Sequence, residues 1–174
     1  MIYDFIDTGK ITDEDIRGAF KLTEGLWSTK TDPEIIPSKV FTYNFVTKEI
    51  PFSYNVIKED DLVIGFTIVL PSSEEDMYDF INEKITEKEL FYRILETDRE
   101  NFSCLYLCSA VIAENYRRRG LAKKSLMKQI EKFSNIYDIK YIYSWAFSDA
   151  GKKICNNISE EINIPLIERE DNIK

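Results

Sequence analysis

With 174 residues, 44% of them hydrophobic, the chain has apolar material for one full core and little for a second. A formal net charge of −8 argues against non-specific nucleic-acid binding, and the absence of histidine excludes hydrolases with a histidine base and histidine-ligated zinc sites. No apolar run is long enough to span a membrane, and the acidic start Met1-Ile-Tyr-Asp-Phe-Ile-Asp7 lacks the basic and apolar regions of a signal peptide.

A cytoplasmic protein binding neither membrane nor nucleic acid is therefore expected, and an odd count of three cysteines fits a reducing compartment. Ile2–Asp7 alternates apolar and acidic residues like a half-buried strand. Thr12-Asp-Glu-Asp15 opens a helix as a capping-box variant, and Ile16, Ala19, Phe20, Thr23, Leu26 and Trp27 continue it at helical spacing. Thr31-Asp-Pro33 and Pro37 break that helix, and Pro33–Thr47 carries the rings of Phe41, Tyr43 and Phe45 without a clear period. Phe52–Lys58 and Leu62–Leu70 read as a hairpin across Glu59-Asp60-Asp61, with Pro71 ending the second strand. Ser72-Ser-Glu-Glu75 and Thr86-Glu-Lys-Glu89 are capping-box patterns, which predict helices near Glu74–Asn82 and Glu87–Leu95. From Ser72 to Asn101 there are ten acidic and four basic residues, which fits a solvated helical face and also an acidic lid over a site.

Cys104–Ala113 is a continuous apolar run that reads as a strand buried on both faces. Cys104 and Cys108 would lie roughly 13 Å apart along it, too far for a disulfide or a shared metal, so no metal site is expected. Beyond it, Leu121–Phe133 places Ala122, Leu126, Ile130 and Phe133 on one helical face. The joint is Glu114-Asn-Tyr-Arg-Arg-Arg-Gly120. From Tyr116 to Lys128 there are six basic residues and no acid. Cations at a helix N-terminus oppose its dipole, and the first amides of a helix have no internal acceptor, so the strand-glycine-helix order predicts an anion site. Ile139–Phe147 is a further strand with Tyr143 inside it. Ser148 caps a helix over Asp149–Ile158, and Asn163–Glu168 ends as a short strand that Pro165 confines to an edge or bulge. The order is that of an α/β (α+β) protein with a mixed sheet.

Arg117-Arg-Arg-Gly120-Leu-Ala122 resembles the Arg/Gln-x-x-Gly-x-Gly/Ala signature of the GCN5-related N-acetyltransferase superfamily, and the strand before it and helix after it fall in that family's order. The resemblance implies a central mixed sheet flanked by helices, as in acyl-CoA N-acyltransferases. It also implies one domain over 1–174 with an acidic helical insertion at about 72–100. Acetyl-CoA is the implied co-substrate, its pyrophosphate on the main chain of Arg117, Arg119, Gly120, Leu121 and Ala122, with Arg118, Lys123 and Ser148 beside it. The strand carrying Cys104–Ala113 and the one after its helix would splay apart to admit the pantetheine arm.

Acetyl transfer to an amine needs a base, because an ammonium has no lone pair, and an N–H donor for the thioester oxygen as it becomes anionic. An amide near Val111 or Ile112 is the candidate donor. The signature strand carries no acid, unlike family members that use a glutamate there, so Glu114 is the nearest candidate base. The family's Asn-x-x-Ala-x-x-x-Tyr pattern corresponds to Phe147-Ser-Asp-Ala150-Gly-Lys-Lys-Ile154-Cys155, without the asparagine or tyrosine, which leaves Cys155 or Tyr143 as substitutes for the acid. The expected protein is an N-acetyltransferase, monomer or homodimer, that moves an acetyl group from acetyl-CoA to an amine by direct attack. The alternative is a non-catalytic acyl-CoA-binding domain.

Overall fold

A computed structural model describes residues 2–24 and 50–170. The expectations for Leu26, Trp27 and Pro33–Thr47 fall outside the described residues. Six strands form one sheet in the order β1 (Asp4–Asp7), β2 (Tyr54–Glu59), β3 (Leu62–Ser72), β4 (Cys104–Ile112), β5 (Tyr141–Ser144) and β6 (Leu166–Glu168). Strands β1 to β4 pair antiparallel, whereas β4, β5 and β6 pair parallel. The sheet is therefore mixed, as the element order predicts. Among the described residues the α-helices are α1 (Asp13–Thr23), α2 (Glu74–Ile81), α3 (Glu87–Glu96), α4 (Leu121–Ser134) and α5 (Asp149–Ile162).

Local chemistry sets most of these boundaries. Thr12 and Asp15 form the expected reciprocal capping box on α1, and Thr86 and Glu89 form another on α3. Asp60 takes a left-handed backbone (φ 51) in the hairpin turn, where an aspartate is tolerated. Two expectations need correction. The cap of α2 is Ser73, whose hydroxyl accepts from the Asp76 amide, whereas Ser72 is still in β3. Pro71 does not end β3 either, since it pairs opposite Leu105. The β2 ladder stops at Tyr54 opposite Ile68, so at Pro71 that edge of β3 has no strand beside it among the described residues, and the missing N–H interrupts no ladder there. Pro165 precedes β6, which lies at the sheet edge as expected.

Helices cover both faces. Helix α4 lies on one face, where Leu126, Ile130 and Phe133 join the core with Leu105 and Ile142. A buried polar seam fixes its axial position: the Thr67 hydroxyl meets the Ser125 hydroxyl and Gln129 Oε1 at 2.6 Å each. Ser125 donates to Asn55 Oδ1 at 3.1 Å, and Gln129 Nε2 to the Phe52 carbonyl at 2.8 Å. Such a seam is satisfied in only one register, so it fixes where the first turn of α4 stands relative to β4. Cys155 and Ile158 of α5 pack on the same face. Helices α1, α2 and α3 take the other face, with Phe80 of α2 against the Tyr106 and Tyr143 rings at 5.2 and 6.2 Å.

On that second face Lys58 Nζ lies 2.8 Å from Asp15 Oδ1. Burial raises the Asp15 pKa, but hydrogen bonds from Lys58 and from the Thr12 amide and hydroxyl outweigh it and leave the carboxyl below its ordinary 3.8. A carboxyl depressed in the folded state stabilises the fold above its unfolded pKa, and that stability is lost as pH falls through the folded value. Asp15→Asn should therefore lower stability at pH 7 yet leave the mutant's stability less steeply dependent on acid between about pH 4 and pH 2, read by urea melts across that window.

Candidate coenzyme site

The joint between β4 and α4 has a defined shape. A turn of 3₁₀-helix at Glu114–Tyr116 is followed by left-handed backbone at Arg118 (φ 62) and at Gly120 (φ 73). Gly120 caps α4 with no side-chain hydrogen bond, and its position opens on space: a Cβ there would meet nothing within 4 Å. Lys124 donates to the Gly120 carbonyl at 3.0 Å. The amides of Leu121, Ala122 and Lys123 precede the first internal bond of α4 and have no partner among the described residues. Free amides, the helix dipole and local positive charge are the features that an anion cradle needs.

The loop arginines do not all face outward to a ligand. Arg117 Nε donates to the Ile112 carbonyl at 3.1 Å. Arg119 donates to Tyr3 Oη at 2.7 Å and to the Asn115 carbonyl at 2.9 Å, and its guanidinium lies 5.0 Å from the centre of the Tyr116 ring. Tyr116 in turn donates to Glu59 Oε2 at 2.6 Å, so the loop is braced against β2 and against Tyr3, which precedes β1. Two arginines hold the loop in place, and Arg118 remains exposed. The Arg117 amide, assigned to pyrophosphate by resemblance, is donated to the Glu114 carbonyl at 3.2 Å. Lys123 pairs with Glu161 at 2.5 Å.

The second feature is a split in the sheet. The last rung between β4 and β5 joins Leu107 to Ser144, yet β4 runs on to Ile112. At that point the β3–β4 register slips, with Ile68 opposite Ser109 and Val69 opposite Leu107, so Cys108 is an extra residue in β4. Burial changes with it: Cys104 to Leu107 are buried, Cys108 and Ser109 partly exposed, and Ala110 exposed although its strand is internal to the sheet. Ala113 donates to the Ile64 carbonyl of β3 at 2.8 Å. Because amides alternate along a strand, that of Val111 also points to β3, while those of Ala110 and Ile112 point into the split. Of the two expected donors for a thioester oxygen, Ile112 faces the opening.

The expected catalytic side chains do not converge there. Tyr143 is fully buried and its hydroxyl meets Ser72 Oγ at 2.8 Å, with the Tyr106 ring stacked on it at 5.0 Å. The alternating pattern of β5 directs Tyr143 to the core under α2, away from the split, so it is a packing residue. Cys155 is buried and faces Ser144, and burial holds its thiol above the ordinary range. Ser148 Oγ accepts from the Gly151 amide at 3.1 Å as a helix cap. Glu114 is exposed in the loop.

An acid that sequence reading missed does reach the split. Glu87, 7% exposed, opens α3 and accepts from Tyr106 Oη at 2.7 Å, while Cys108 Sγ lies 3.8 Å from the same oxygen. Burial and the Glu87 charge push the Cys108 thiol well up, which keeps it protonated and removes it as a nucleophile. The signal was present in the sequence. Glu87, Leu90, Phe91 and Ile94 share one helical stripe, so an acid stands where the apolar face demands a core residue.

Among the described residues no cluster of side chains could hold a metal ion, and no helix is long and apolar enough to cross a membrane. No family model and no curated protein matches the chain by sequence. Solved structures do match its fold. Diaminobutyrate acetyltransferase from Paenibacillus lautus superposes with a TM-score of 0.60 at 14% identity, over 94% of this chain and 77% of that one. The loading GNAT-like domain of CurA from Lyngbya majuscula gives 0.59 at 12% identity, over 88% and 69%. Aminoglycoside N-acetyltransferase AAC(6′)-Iy, solved with coenzyme A, gives 0.57 at 13% identity, over 99% and 93%. By these superpositions the chain, a mixed six-stranded sheet flanked by helices, has the fold of the GCN5-related N-acetyltransferases.

Proposed function

We propose that the protein is an acetyl-CoA-dependent N-acetyltransferase acting on a primary amine, formed as one domain over 1–174. The observation that carries this reading is the exposed edge of β4 beyond Leu107, which runs to the free amides of α4. Among the described residues no strand lies beside that edge, and although Arg117 takes the Ile112 carbonyl, its remaining amides are open to pairing by a ligand. A pantetheine arm has amide groups suited to that role, and its diphosphate suits the cradle at the end. On this reading Gly120, Leu121, Ala122 and Lys123 hold the diphosphate through their amides, and Arg118 adds charge. The amides of Ala110 and Ile112 receive the thioester oxygen as it becomes anionic.

The neighbours support the reaction class. One is solved with L-2,4-diaminobutyric acid and coenzyme A, and another with a bisubstrate analogue built on neamine. The test uses purified protein with acetyl-CoA. At a concentration of about 100 times Kd, ligand binding should stabilise the fold by roughly 2.7 kcal/mol, a rise in melting temperature of about 5–11 °C for a domain of this size. Thiol release is then measured with L-2,4-diaminobutyrate, neamine, methylamine and a peptide with a free N-terminus. Release above background with any of them supports the transferase. A thermal shift without release supports the non-catalytic acyl-CoA-binding alternative, and no shift overturns both.

A further inference from the structure

We propose that Glu87 is the base that takes the proton from the acceptor ammonium, which enters the split from the face covered by α2 and α3. This rests on the acetyltransferase reading. The geometry is specific to this chain, because the carboxylate comes from a helix lying between β3 and β4 in sequence and not from the signature strand. Glu87 Oε1 is 2.7 Å from Tyr106 Oη, the residue opposite Tyr143 in the β4–β5 ladder, and 3.8 Å from Cys108 Sγ. Leu107 makes the final rung of that ladder and Cys108 follows it, so the carboxylate stands at the point where the two strands part.

The two faces have separate tasks. Helix α4 and its free amides lie on the side of Thr67 and Asn55, whereas Tyr106 and Glu87 lie on the side of Phe80. A coenzyme held by the α4 amides therefore reaches the split from one side, and the Glu87 carboxylate lies on the other. Tyr106 donates to Glu87 from a fully buried position, which fixes where the carboxylate stands.

The step balances as follows. An ammonium R–NH3⁺ gives one proton to Glu87 and becomes R–NH2, whose lone pair attacks the thioester carbonyl carbon. The C–N bond forms, the C–S bond breaks, and the sulfur leaves with the electron pair and takes the second nitrogen proton to become the coenzyme A thiol. One hydrogen stays on the amide nitrogen, and Glu87 returns its proton to water.

The test compares Glu87→Gln with wild type in three measurements. Acetyl-CoA should raise the melting temperature of both equally. Transfer to the best ammonium acceptor among L-2,4-diaminobutyrate, neamine and methylamine should fall about 100-fold or more in kcat. Transfer to methoxyamine, which is already unprotonated at neutral pH, should fall less than about threefold, because a structural defect would lower both acceptors alike. Should Glu87→Gln not fold, Glu87→Asp takes its place with the same acceptor contrast and a smaller loss. Equal transfer to the ammonium acceptor in wild type and variant, or an equal fall with methoxyamine, overturns the role of Glu87 and leaves the acetyltransferase reading intact. No transfer by wild type to any amine overturns both.

Discussion

Gly120→Glu should abolish the acetyl-CoA thermal shift. Two effects act at this position, and they can be separated. A non-glycine residue at φ 73 is strained by about 1 kcal/mol, which lowers stability but does not touch a ligand. A carboxylate there stands where the diphosphate is proposed to rest, and like charges set against each other cost several kcal/mol. About 3 kcal/mol corresponds to more than 100-fold in Kd, enough to remove the whole shift at the ligand concentration used for wild type. Gly120→Ala is the control. Its Cβ meets open space, so it should lose about 1 kcal/mol of stability and keep most of the ligand-induced rise. Differential scanning fluorimetry with and without acetyl-CoA reads both terms for both variants. A Gly120→Glu protein that shifts as far as wild type would remove the anion cradle from the site.

What could be read from the chain in advance follows from how local each signal is. Capping boxes at Thr12 and Thr86 and the hairpin at Asp60 are decided within four or five residues, and they appear where the residues predict them. The β4-loop-α4 unit was also legible, because an apolar run, a glycine and a helical stripe follow one another without interruption. The bulge at Cys108 was not. A strand of small and apolar residues looks the same whether or not one residue is extra, and the slip is set by how β3 and β5 meet it. That Tyr143 lies in the core was hidden for the related reason that alternation tells which residues share a face but not which face is open. The arginine run has a second use: positive charge at a helix N-terminus points to an anion, yet Arg117 and Arg119 use donors on Ile112, Asn115 and Tyr3. Glu87 escaped because a first-turn acid is already explained by the helix dipole, and its place on the buried stripe was a second, independent fact.

Phe80→Ala should be the most destabilising single substitution in the acidic segment between β3 and β4, and it decides what that segment is. A lid would have its own small interior and could detach. Instead Met77, Phe80 and Leu90 are fully buried, with Phe91 and Ile94 1% and 2% exposed, so α2 and α3 are part of the wall of the main core. Phe80 is central to that wall. Its ring is 5.2 Å from Tyr106, 6.2 Å from Tyr143 and 6.0 Å from Trp145, with the Arg169 guanidinium 4.6 Å from its centre. Removing a buried phenyl ring costs about 3–5 kcal/mol through lost transfer energy and the cavity left behind. For a domain of this size that lowers the melting temperature by roughly 6–20 °C. Leu95→Ala, on the exposed side of α3 at 41%, should change stability by no more than about 0.5 kcal/mol. The ligand-induced shift should survive Phe80→Ala, since the α4 amides lie on the opposite face. Transfer to an ammonium acceptor should fall, because the same wall positions Glu87 at the split. A Phe80→Ala protein as stable as Leu95→Ala would mean that α2 and α3 do not share the core, and the carboxylate of Glu87 would then have no fixed place beside β4.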